Sequence, residues 1–428
     1  MFSIRRPYRR CVVRYVLAIA VIGVFGQSAF AAERPANQAP KALQSALRDA
    51  WQHHPDSRSI DAQLSAARAR LQAASQPLYN PELVLSQDED GPERTIAAGM
   101  NLTLDLAGKR RARRDAASAQ VALTTAEAQV LRRDFVRDWL LSWSDTRNAR
   151  RRLAIGNRRQ ALLQRFAELA RKQFSVGDIS GLERDLALFA REQSTAENAQ
   201  LMTDLIDAEA RFRVVGGVTE TAHTESPFEF GAPEMAQFDS GTQALPEWLT
   251  AKSALDLANR EVIVANKNRQ ADPTIGAYSS RKDFNGRGAR YDAYGVSISI
   301  PLHVRNTYRA EVLAAQSDVD VAEARLKRVE LALETNRRRA AESYAGTRAA
   351  WQVWQSSQGT DIDRRTDLLE KLWREGEMST SEYLLQLNQT LEAQMAGLEL
   401  ESRLFRAYTD YLVFSGQLEQ WAGMEGAP

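Results

Sequence analysis

Two rhythms of apolar and polar positions alternate along the chain. From about Leu43 to Gln76 the apolar residues fall at helical spacing, and Pro77, Asn80 and Pro81 stop the run. His54-Pro55 marks a turn or kink inside it, because a residue before proline avoids the helical region. The period then changes to two. Met100, Leu102, Leu104 and Leu106 alternate with Asn101, Thr103 and Asp105, the pattern of a strand with one apolar face. With Pro81–Gln87 it predicts a β-hairpin over 82–106, closed by the charged loop Asp88–Arg94. From Gly108 to about Val215 the helical rhythm returns without a proline. Ala116, Ala119, Leu123, Ala126 and Val130 step by three and four, as in a coiled-coil seam. Leu162, Phe166 and Leu169 continue the stripe, and Leu182, Leu186 and Phe189 open a return helix.

The same order then recurs. A helix is predicted from Pro246 to Ala271, a strand over Thr274–Ser280, a Gly-rich loop over Arg281–Arg290, and a strand in which Tyr294, Val296, Ile298 and Ile300 alternate with small residues. Proline is then absent from Pro301 to Pro428. Val312, Ala315, Val319, Ala322, Leu326, Val329 and Leu333 form a heptad seam. Leu384, Leu387, Leu391, Leu398, Phe405, Tyr408 and Leu412 form another, interrupted by Gln394 and Glu401. Pro81 corresponds to Pro273, Leu102 to Ile298 and Gly177 to Gly376, at offsets of 192, 196 and 199 residues. A period that long is no solenoid; it predicts a tandem duplication. The halves run over 32–216, with a hairpin tip at 174–181, and over 252–428, with its β-hairpin at 274–300 and its tip at 373–380. Each tip carries an aromatic, a Gly and a Ser at intervals of three: Phe174, Gly177, Ser180 and Trp373, Gly376, Ser379.

These lengths impose an assembly. Residues 108–172 as one helix extend roughly 100 Å, so their seams need other helices to cover them. The two hairpins supply four one-sided strands. Four strands cannot close a membrane barrel, whose smallest examples have about eight, and an open edge in lipid strands backbone groups without partners. A membrane reading therefore needs several copies; three give a barrel of about twelve strands on a tube of about twelve helical segments.

Composition changes the picture at the N-terminus. Arg5, Arg6, Arg9, Arg10 and Arg14 precede an apolar core from Tyr15 to Phe25, and Ala29-Phe30-Ala31 follows. That is the pattern of a secretory signal peptide over 1–31; its apolar core is shorter than the roughly 20 residues of a membrane span. Without its five arginines, 51 basic residues face 55 acidic ones, a net charge of −4, and nothing global suggests nucleic-acid binding. The single cysteine, Cys11, leaves as well, so no disulfide framework and no thiol metal ligand is expected. Residues 217–251 hold Pro227, Pro233 and Pro246 with six acids and no Lys or Arg, and read as a connector between the halves, with Phe228, Phe230 and Phe238 available for packing.

The duplication, the entry Asn80-Pro81-Glu82-Leu83 and the two Gly-centred tips resemble the TolC-like outer-membrane efflux proteins over essentially the whole mature chain. Asn80, Asp90, Arg94, Leu104 and Gly108-Lys109-Arg110 look like the subgroup serving cobalt-zinc-cadmium efflux. The resemblance implies a mainly α fold with a small β part, assembled as a homotrimeric 12-stranded β-barrel on an α-helical barrel. It implies an outer-membrane channel with a long periplasmic part, a passive conduit probed by no cofactor, working with a periplasmic adaptor and an inner-membrane pump of the resistance-nodulation-division (RND) type.

Site residues follow with their plainer alternatives. Val176, Gly177, Asp178 and Ser180, with Glu375, Gly376, Glu377 and Ser379, would dock the adaptor. Equally, a Gly at a helix end supplies a left-handed turn and a Ser caps the next helix. Glu183 and Glu382, each six residues past its tip glycine, would form an acidic periplasmic gate in a trimer, or sit as acids favoured by a helix N-terminus. Tyr278, Tyr291 and Tyr294 could form an interfacial belt, whereas Trp139, Trp143, Trp351 and Trp354 read as packing. Lys109–Arg114 reads as a membrane boundary or solvated helix start. His53, His54, His223 and His303 lie in no chelating spacing, so no metal site is expected, and no catalytic motif is present. Two rivals keep the architecture or part of it: a channel for drug or protein export, and an exported soluble coiled-coil scaffold.

Overall fold

The computed structural model describes residues 38–218, 241–284, 290–357 and 362–424. The expected signal peptide, Cys11, His223 and most of the expected connector lie outside them. Helix α1 (Lys41–His53) and α2 (Pro55–Ser75) meet at His54, whose extended backbone and Nδ1, accepting from the Asp56 N–H, start α2. Strands β1 (Glu82–Asp90) and β2 (Glu93–Thr103) lead to α3 (Lys109–Val176) and α4 (Gly181–Val214). After a short 3-10 turn come α5 (Pro246–Asn268), β3 (Thr274–Phe284), β4 (Arg290–Ser299), α6 (Arg309–Ser357), α7 (Ile362–Arg374), α8 (Thr380–Ser415) and α9 (Leu418–Trp421). At 68 residues, α3 is roughly 100 Å long.

The four strands form one antiparallel sheet in the order β1-β2-β3-β4. Both hairpins run further than the sequence predicts. The expected loop Asp88–Arg94 shrinks to Gly91-Pro92, because Asp88, Glu89 and Asp90 pair with Thr95, Arg94 and Glu93 across the ladder. Cross-strand ion pairs offset part of that charge: Arg94 lies 3.8 Å from Glu89 and Lys282 meets Glu93 at 2.6 Å. In the second hairpin the expected loop residue Arg281 likewise sits in β3, holding Asp292 at 2.8 Å. At the other end β2 stops short of the predicted Leu106. Leu104 still donates to the Pro273 carbonyl at 2.9 Å, but Asp105 turns away to cap α3, accepting from the Lys109 and Arg110 N–H groups at 2.7 and 2.8 Å.

A triad centred on a buried carboxylate ties the sheet to the helices. Asp272, 5% exposed, accepts from Tyr79 Oη at 2.7 Å and pairs with Lys109 Nζ at 2.8 Å. The hydrogen bond to Asp272 and burial together push the Tyr79 phenol up to about 12. Lys109, first of the basic run, is thus spent inside the junction between the two hairpins.

Two apolar clusters hold the helices. One joins Leu43, Leu47 and Trp51 of α1, Trp139 and Trp143 of α3, Phe212 of α4, Tyr344 of α6 and Tyr408 and Tyr411 of α8. The expectation that Trp139 and Trp143 are packing residues is met: both are fully buried. Trp354 covers Gly397, where a Cβ would stand 2.5 Å from the indole. Between the clusters, α3 is fastened to its neighbours by ion pairs. Glu401, which interrupts the α8 seam, is buried and held by Arg147 at 2.8 Å and by Arg151. Burial pushes its carboxyl up, but the hydrogen bond from Arg147 and the charge of both arginines outweigh that and leave it below its ordinary value. Arg159 pairs with Glu197 of α4 and donates to Asn388 of α8 at 3.1 Å.

Candidate functional sites: an uncovered sheet and two helix tips

The ladder fixes which strand residues share a face, since directly opposed residues point the same way. One row is Leu83, Met100, Ala277 and Val296; a second is Leu102, Ile275 and Ile298; a third is Leu85, Ala98, Ser279 and Tyr294. Beyond them on the same face lie charged rows: Gln87, Ile96, Arg281, Asp292, then Glu89, Arg94, Asp283, Arg290. The opposite face carries Ser86, Gly99, Ala97, Asn101, Gly276, Ser297 and Ala293.

No other part of the described chain covers the apolar face. Leu85 is 71% exposed, Val296 79% and Tyr294 81%. Burying each such side chain is worth about 1.5–3 kcal/mol, so a three-row apolar face left in water is a large forfeit. The outer ladders of β1 and β4 have no strand beside them in the sheet, and free edges of this kind invite pairing with another chain.

The register separates the three tyrosines that the sequence groups as a belt. Tyr294 stands on the apolar face, whereas Tyr278 and Tyr291 stand on the small, polar one. Tyr278 lies flat across Gly295, where any Cβ would come within 2.2 Å of the ring. Strand alternation alone cannot reveal this, because it does not say which side chain leans onto a neighbouring strand.

At the far end of the helices the two tips are built alike in backbone. Gly177 and Gly376 take left-handed conformations, φ +89° and +75°, and close the helix ends: the Asp178 N–H donates to Gln173 O at 2.9 Å and the Glu377 N–H to Leu372 O at 3.0 Å. Ser180 Oγ then accepts from the Glu183 N–H at 3.2 Å, while Glu183 Oε2 accepts from the Ser180 N–H at 2.8 Å, a complete capping box. These bonds from Ser180 hold the Glu183 carboxyl below its ordinary value. Ser379 Oγ accepts from the Glu382 N–H at 3.2 Å, and the Glu382 side chain is exposed.

Side chains distinguish what the backbone repeats. Leu162, Leu163, Phe166 and Ala170 of α3 pack with Leu369 and Trp373 of α7 and with Tyr383, Leu387 and Leu391 of α8. Ile179 and Met378, from the two turns, rest on the same cluster, so the tips stand side by side. Trp373 is 5% exposed, its ring 4.3 Å from that of Phe166. Its sequence counterpart Phe174 is 40% exposed and carries the Arg184 guanidinium, 4.3 Å from the ring centroid. Val176, Asp178, Glu375 and Glu377 are all exposed.

Among the described residues no group of three His, Cys, Asp or Glu could hold a metal ion. His54 caps α2 and His303 Nδ1 lies 3.0 Å from Arg269 O. No helix among the described residues is long and apolar enough to cross a membrane.

No family model matches the chain. It is 24% identical to the cobalt-zinc-cadmium resistance protein CzcC of Cupriavidus metallidurans, over 57% of this chain and 60% of that one. It is 25% identical to the nickel-cobalt-cadmium resistance protein NccC of Alcaligenes xylosoxydans xylosoxydans, over 57% of this chain and 55% of that one. The chain thus spans little more than half the length of these relatives. Superposed on the Campylobacter jejuni CmeC outer membrane channel it gives a TM-score of 0.70 at 14% identity, covering 91% of this chain and 87% of that one. The resemblance to TolC-like outer-membrane efflux proteins is borne out by both comparisons: the chain has the fold of a solved outer-membrane channel and is similar in sequence to two heavy-metal resistance proteins.

Proposed function

We propose that this chain is the outer-membrane channel of a tripartite, RND-type efflux system, a passive conduit from periplasm to exterior for heavy-metal cations. The single observation that carries the reading is the sheet: an apolar face bare to solvent, flanked by two unpaired edges. Lipid satisfies the face, and copies of the chain satisfy the edges. Three copies, each with four strands, close a barrel of about twelve, with the small, polar face lining the lumen. In that assembly Tyr294 meets lipid, and Tyr278 and Tyr291 meet the channel.

The two halves, 32–216 and 252–428, act as a tandem repeat joined by the connector 217–251. The tips around Gly177 and Gly376 dock the periplasmic adaptor, and an inner-membrane pump drives transport. Glu183 and Glu382 form the acidic gate at the inner mouth. The names of the two relatives support metal cations over drugs or proteins as cargo.

The test is a chromosomal deletion complemented with the full chain. Expected are recovery of the protein in carbonate-washed outer membranes as a trimer and restored resistance to cobalt, zinc or cadmium. A protein released by the carbonate wash refutes the channel; a membrane trimer without any effect on metal resistance refutes the cargo.

A further inference from the structure

The two tips are near-repeats in sequence but present different chemistry. On the first, Phe174 and Val176 are 40% and 71% exposed and Leu182, one turn into α4, is 71% exposed. The Arg184 guanidinium lies over the Phe174 ring, 4.3 Å from its centroid. On the second, the corresponding aromatic is withdrawn: Trp373 packs on Phe166 and Tyr383 and donates from Nε1 to Thr380 Oγ1 at 3.3 Å. The place of Val176 is taken by Glu375, and that of Leu182 by Ser381.

We propose that the tips divide the labour of docking: the first supplies an apolar anchor of Phe174, Val176 and Leu182, and the second an acidic rim of Glu375 and Glu377. The inference rests on the docking role proposed above. A second copy of this chain is a poor occupant for the patch, since it brings the same carboxylates, Asp178, Glu375 and Glu377, against themselves. The charge instead matches a partner with a ring-sized apolar pocket bordered by Lys or Arg. A fixed, exposed aromatic surrounded by weaker contacts is the arrangement in which a few residues dominate affinity, while exposed charges at the rim act on encounter rate and salt dependence.

The test measures binding of the full-length trimer in detergent to the host's purified periplasmic adaptor, at low and high salt, with the heat-resistant trimer as folding control. Phe174→Ala with Val176→Ser is expected to weaken binding by at least tenfold, about 1.4 kcal/mol, at both salt concentrations. Glu375→Gln with Glu377→Gln is expected to weaken it only at low salt and by about threefold. Trp373→Phe should leave binding unchanged and lower the unfolding temperature. Equal losses from the two tip variants overturn the division of labour while leaving tip docking in place. No loss from either variant overturns docking at the tips altogether, and this proposal with it.

Discussion

Val296 and Ser297 are neighbours in β4 that point to opposite faces, and they allow the membrane reading to be tested with one pair of substitutions. Val296 lies in the row with Leu83 and Met100, between the rows of Ile298 and Tyr294, and is 79% exposed in the single chain. If that face meets lipid, Val296→Lys places an ammonium near the middle of the apolar band, at a cost of about 2–4 kcal/mol. In an assembly of three copies the cost is about 6–12 kcal/mol, and per chain it shifts the insertion equilibrium about 30- to 700-fold. Ser297→Lys, facing the lumen with Asn101 and Gly276, meets water and should cost within about 0.5 kcal/mol. The soluble-scaffold reading makes a different forecast: a lysine at so exposed a site changes stability by no more than about 0.5 kcal/mol at either position. The assay is heat-resistant trimer in outer-membrane fractions, followed by urea unfolding in bilayers. Loss of trimer for Val296→Lys alone is expected. Equal behaviour of the two variants refutes the assignment of faces, and wild-type behaviour of both refutes lipid contact.

Four further outcomes follow from the helical part. Glu401→Gln leaves Arg147 and Arg151 without their buried carboxylate and should lower stability by about 3 kcal/mol, read by chemical denaturation. Because the two arginines hold the folded Glu401 carboxyl below its ordinary value, its contribution is present above the ordinary carboxylate range and is lost as pH falls through the lower folded value; the wild type should therefore lose stability in acid more steeply than Glu401→Gln. Ser180→Ala removes the hydroxyl half of the capping box, leaving only the residue-180 N–H to Glu183, and should cost about 1 kcal/mol, confined to the tip and visible as faster amide exchange over the first turn of α4. Gly177→Pro cannot adopt φ +89° and should leave the trimer inserted while abolishing metal resistance; unchanged resistance counts against a docking role. Glu183→Gln with Glu382→Gln should reduce cation preference in single-channel recordings, and an unmoved reversal potential removes the acidic gate.

Much of the architecture was legible because it is periodic. Period-two alternation at Met100–Leu106 and Tyr294–Ile300 marks strands that are half apolar, and proline placement marks where helices end. What escaped depends on partners distant in sequence. The charged segment Asp88–Arg94 reads as a loop until Lys282, 189 residues away, is seen against Glu93. Glu401 reads as a fault in an apolar seam until Arg147 and Arg151 are placed opposite it.

The tips show the same limit in its most consequential form. Their shared aromatic, Gly and Ser encode a common backbone turn, and that inference holds: both glycines are left-handed and both serines cap. The fate of the aromatic is decided elsewhere, by Phe166. A ring protruding from α3 toward the second hairpin gives Trp373 a surface to bury against, whereas Phe174 stays 40% exposed beneath the Arg184 guanidinium. The two ends are therefore alike in backbone and unlike in surface, because the flank of the first hairpin covers the aromatic of the second. If a partner reads these ends, it reads them as an ordered pair, and a partner surface with two identical pockets would fit only one of them.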